Sequence, residues 1–123
     1  MMREIIASAL IVAAPAAARD TVRRDVEGYA VASCLSTQPS TYLRDQADGW
    51  AAHIVQRKAF QMKAFAALSQ VVKAAVNHEP MTTIVAEQPP KTIKQLPIQY
   101  CSEVIDIPNV RAQIERTITQ VRN

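Results

Sequence analysis

The stretch that decides the fold is Ala59–Asn77, AFQMKAFAALSQVVKAAVN. It has no glycine or proline, and Phe60, Ala64, Ala67, Leu68, Val71, Val72 and Ala75 recur at three- and four-residue spacing. That period places them on one side of a helix. The same spacing recurs in both directions along the chain. From Thr21 to Leu35, Val22, Val26, Tyr29, Ala30 and Ser33 form a small apolar face. Arg23, Arg24 and Glu27 lie on the other, and Asp20 stands where an N-cap is needed. Pro39 stops that helix. A second begins at Ser40 or Thr41 with a stripe of Leu43, Ala47, Trp50, Ala51 and Ile54. Its Asp45 and Asp48 precede Arg57 and Lys58, an order that suits the helix dipole.

Only two glycines occur, Gly28 and Gly49. Gly49 falls inside the second helix, where glycine costs about 1 kcal/mol relative to alanine. A close helix–helix approach beside Trp50 would account for it. No breaker separates Trp50 from Asn77, so one long helix is conceivable; a turn near Gln56–Phe60 fits a small bundle better. Beyond the irregular segment 78–95, a fourth helix is expected from Pro97 to Asp106, with Ile98, Cys101, Val104 and Ile105 on one face. A fifth runs from Pro108 to Arg122 on Val110, Ile114, Thr117, Ile118 and Val121. No Asn-Gly or Asp-Gly hairpin signal and no long β-branched alternation appears. The expectation is an all-α single domain, a bundle of about five helices.

The amino-terminal residues MMREIIASALIVAAPAAA read as a secretory signal peptide. Arg3 supplies a positive start, Ile5–Ala14 an uncharged apolar run, and Ala16 and Ala18 the small-x-small cleavage pattern. The run is shorter than the roughly 20 apolar residues a membrane span needs. The expected domains are a signal peptide, 1–18, and a helical domain, 19–123, without membrane insertion after cleavage. With 49% hydrophobic residues the chain can form a core. Its net charge of +3 is scattered and not interleaved with aromatics, so no nucleic-acid footprint is present.

Two cysteines in an exported chain read first as a disulfide, Cys34 to Cys101, worth roughly 4 kcal/mol in the chain-entropy model. A thiol nucleophile or metal ligand is the competing reading, but neither cysteine has a second Cys or a His at ligand spacing. His53 lies beside an apolar helical face, and His78 at a helix end can stabilise the C-terminus as a cation. The pairs Asp45/Asp48 and Glu103/Asp106 have helical spacing that exposed faces often carry. No serine has a G-x-S-x-G context, and there is no phosphate loop or dinucleotide fingerprint. These absences favour a binding protein over an enzyme, with no catalytic residue, cofactor or metal expected.

The segment 78–95, HEPMTTIVAEQPPKTIKQ, has three prolines and no helical period. Long irregular segments in compact domains are functional or disordered. Met81, Ile84 and Val85 make it less polar than an idle linker. It is the candidate partner-binding element: Met81, Ile84 and Val85 to fill a pocket, and Glu79, Glu87 and Lys91 to supply polar contacts at the rim. The alternative is a connector whose apolar residues pack back on the bundle.

The signal-like start, Tyr29-Ala30-x-x-x-Cys34-Leu35, the long central helical stretch and Leu96-Pro97-Ile98-Gln99-Tyr100-Cys101 together define a layout. It resembles the small all-helical periplasmic immunity proteins that neutralise peptidoglycan amidase effectors of type VI secretion systems. The resemblance implies a non-enzymatic periplasmic protein that binds a cognate amidase, blocks its cysteine–histidine site with a projecting loop or helix end, and forms a homodimer. No motif residue carries over one by one into the loop. A small periplasmic acid-stress chaperone, or another envelope binding protein, shares the size and bridge and is the alternative.

Overall fold

In the computed structural model, residues 20–58 and 61–122 are described. The proposed signal peptide, Arg19 and Phe60 lie outside them. Among the described residues there are five helices: α1 (Thr21–Leu35), α2 (Thr41–Arg57), α3 (Met62–Val76), α4 (Pro97–Val104) and α5 (Pro108–Arg122). A two-stranded antiparallel hairpin, β1 (Thr83–Val85) and β2 (Ile93–Gln95), is inserted between α3 and α4.

The caps follow the side-chain chemistry. Asp20 accepts hydrogen bonds from the amides of Val22 and Arg23 at 3.1 and 3.2 Å. Ser40 accepts from Leu43 at 3.2 Å. Each satisfies helix-start donors that would otherwise lack a partner. Pro97 opens α4, where a missing amide hydrogen costs nothing. Lys58 caps α2, so the central stretch is two helices and not one.

Helix α1 is the hub and packs against all four other helices, while α3 also packs on α5. Val26, Ile54, Phe65, Leu68, Val72, Val110 and Ile114 are fully enclosed. Tyr29 tilts against Phe65, with ring centroids 4.8 Å apart. The Cys34–Cys101 disulfide joins α1 to α4 across a Cα–Cα distance of 5.5 Å, and both cysteines are wholly buried. No cysteine is free among the described residues.

Several expectations need correction. Phe65, absent from the expected α3 stripe, is at its centre, whereas Ala67 is exposed. Ala64, Leu68, Val72 and Ala75 are buried as expected, and with Phe65 in place of Ala67 the buried face is turned only slightly from the expected one. Ile98 is exposed, and Tyr100 takes the inward place beside Cys101. Helix α4 ends at Val104, two residues earlier than expected. Trp50 is 43% exposed: it lies at the edge of the α1–α2 contact and not in the core. The glycine that accommodates it is Gly28. A β-carbon there would sit 2.8 Å from Trp50 Cζ2, while one at Gly49 would meet nothing within 4 Å. The segment 78–95 is not irregular throughout, because it contains the hairpin.

Candidate functional site: the hairpin between α3 and α4

The hairpin is built from two short β-branched runs, Thr82–Val85 and Thr92–Ile93. Thr83 pairs with Gln95, Ile84 with Lys94 and Val85 with Ile93. The ladder is extended by Ala86 N–H to Thr92 O and Leu96 N–H to Thr82 O, both 2.9 Å. Between the strands, the Pro89–Pro90 peptide is cis. Directly paired residues share a face. Val85 and Ile93 therefore stand side by side on one face, and Ile84 stands beside Lys94 on the other.

Neither face is covered. Every strand residue is exposed, with Ile84 at 49%, Val85 at 58% and Ile93 at 72%. Each branched apolar side chain left in water forgoes roughly 1.5–3 kcal/mol of burial, so this arrangement contributes little to the fold. The apolar surface continues into the first turn of α4. There Leu96, Pro97 and the exposed Ile98 line an open, almost wholly apolar concavity of about 420 Å³.

The base of the hairpin is held. Met81 is half-buried and packs against the core. The Tyr100 hydroxyl donates to the carbonyls of Val76 at 3.3 Å and Glu79 at 3.1 Å. Burial, and then the negative charge of Glu79, push the Tyr100 pKa above its ordinary value. Tyr100 is adjacent to Cys101, so the hairpin root is tied to the disulfide-bridged pair of helices.

The six candidate contact residues thus separate into two groups. Met81 and the Glu79 backbone belong to the root. Ile84 and Val85 lie on the strand faces, with Glu87 and Lys91 exposed in the connecting turn. Ile93, Lys94 and Ile98 lie outside those six candidates and extend the same surface. Thr92–Ile93 is a β-branched signal, but too short to register as a strand.

No group of three or more His, Cys, Asp or Glu residues suited to a metal occurs among the described residues. His53 contacts Arg57 at 3.0 Å on the surface of α2, and His78 is exposed just past α3. No helix among the described residues is long and apolar enough to cross a membrane. No family model matches the chain, and no curated protein or solved structure is significantly similar to it.

Proposed function

We propose that this chain is a periplasmic immunity protein whose hairpin enters the cleft of a type VI secretion peptidoglycan amidase and blocks it. The observation that carries the reading is a narrow two-stranded hairpin with exposed apolar side chains on each face, anchored at its root by Tyr100 and Met81. A cleft-filling element needs apolar side chains for a pocket and polar ones for its rim. Val85, Ile93 and Ile84 meet the first need, and Glu87, Lys91 and Lys94 the second. Anchoring lowers the entropy lost on docking. The buried disulfide suits an oxidising compartment such as the periplasm. The layout resemblance supplies the identity of the enzyme and the expectation of a homodimer.

The test is inhibition of the cognate peptidoglycan amidase that this reading requires. Ile84→Ser/Val85→Ser/Ile93→Ser should abolish inhibition at neutral pH while circular dichroism keeps the helical signal. Full inhibition by that variant would move the contact surface off the hairpin. Amino-terminal sequencing of periplasmic material should begin at Arg19, and light scattering should give twice the mass of the mature chain. A chain starting at Met1 or Met2 would overturn export.

A further inference from the structure

A second site lies at the other end of α4 from the hairpin, about 12 Å of helix away. There α1, α2 and Ile105 enclose a cleft of about 350 Å³. That volume falls within the range of about 300–1,000 Å³ that small-molecule sites occupy. Asp25, only 4% exposed, is among its lining residues. Arg57 from α2 reaches its Oδ1 at 2.7 Å, and Arg24 reaches the same oxygen at 3.4 Å. Oδ2 has no hydrogen-bond partner among the described residues. Among the described residues no fully enclosed side-chain polar atom lacks a partner, so Oδ2 keeps some exposed surface beside the cleft that Asp25 lines. Trp50 lines the same cleft, and its Nε1 also donates to no protein group among the described residues. The indole is seated against Gly28, where a β-carbon would displace it.

We propose that this cleft binds a neutral saccharide unit. The lining selects that chemistry. An anion would meet Asp25 and Glu27, and a cation would meet Arg24 and Arg57. A hydroxyl both donates and accepts, so it can donate to Asp25 Oδ2 while accepting from a guanidinium or from the Trp50 indole. The apolar ring face of a sugar has Trp50, Val31 and Ile105 to rest on. The fixed carboxylate is pre-oriented by its two arginines, and an ordered acceptor loses little entropy on binding.

Trp50 is the single tryptophan of the chain, so its fluorescence reports on the cleft alone. Titration with N,N′-diacetylchitobiose should give a saturable emission change in the millimolar range or tighter. Asp25→Asn should weaken it about tenfold or more, the effect of losing a hydrogen bond to a charged group. Glutamate and spermidine should leave the emission unchanged. No saturable change with the saccharide overturns the proposal, as does stronger binding of either charged probe or full affinity in Asp25→Asn. If Asp25→Asn fails to fold, amide shift mapping of the native chain decides. Changes centred on Gly28, Val31, Trp50 and Ile105 support the site, and changes centred elsewhere overturn it.

Discussion

At the residue scale, the two glycines have opposite meanings. Both lie inside helices without positive φ, so each costs helix stability without a backbone reason. At Gly49 a methyl group would occupy open space. Gly49→Ala should therefore stabilise the domain by about 0.5–1 kcal/mol in urea denaturation. Gly28→Ala gains the same propensity but drives a β-carbon into the Trp50 indole. It should stabilise less than Gly49→Ala and shift the tryptophan emission; equal stabilisation with unchanged emission would contradict the close approach. Tyrosine gives a second residue-scale test. Burial raises the pKa values of Tyr29 and Tyr100, so the folded chain holds their protons more tightly than the unfolded chain does. Their contribution is whole below about pH 10, the ordinary tyrosine value, and is lost as pH rises through the folded pKa values. Phenolate absorbance of the native protein should lag that of the urea-unfolded chain, and the melting temperature should fall above about pH 10. At the acid end, the Glu115 carboxylate sits below its usual range because Arg23 hydrogen-bonds to it at 2.6 and 2.9 Å. That support is present above the ordinary glutamate pKa and fades as pH falls through the depressed one.

At the scale of elements, most helix starts followed from local chemistry, and the inward-facing residues followed only in part. Asp20, Ser40, Pro97 and Pro108 mark starts that depend on one residue's capping or φ preference, so they were legible. Which of several apolar residues faces inward depends on neighbours far along the chain. Hence Trp50 and Ile98 were expected inside, and Phe65 was missed. The hairpin was illegible because each strand has three residues, below the length at which alternation declares itself. The Asp25–Arg57 pair was equally hidden, since its partners are 32 positions apart. The hairpin carries its own prediction. Its amides should exchange hydrogen faster than those of α1 and α3, because its ladder is solvent-exposed and encloses no core. Tyr100→Phe should cost about 1 kcal/mol and further speed exchange at the hairpin root, as two carbonyls lose their donor. Unchanged exchange there would remove Tyr100 from the anchor.

At the scale of the molecule, the disulfide closes a loop of 67 residues containing α2, α3 and the hairpin. Loops of that length give a cross-link roughly 4 kcal/mol in the chain-entropy model. The double change Cys34→Ala/Cys101→Ala should lower unfolding stability by about 2–5 kcal/mol. Mass analysis of native protein with an alkylating agent should find both thiols masked until reduction. Two freely alkylated cysteines in the native protein would contradict the bridge.

The clamp at the hairpin root also sets what the chain can tolerate. Tyr100, Cys101 and Met81 fix where the hairpin leaves the bundle, while the strands Thr83–Val85 and Ile93–Gln95 stay exposed. Replacement there is close to free for folding, while replacement at the root is costly. The hairpin can therefore drift in sequence, or be exchanged whole, without the helices registering it. A library randomised at Ile84, Val85, Glu87, Lys91 and Ile93 should return mostly folded proteins. From it, a chain with a new target could be selected on an unchanged frame.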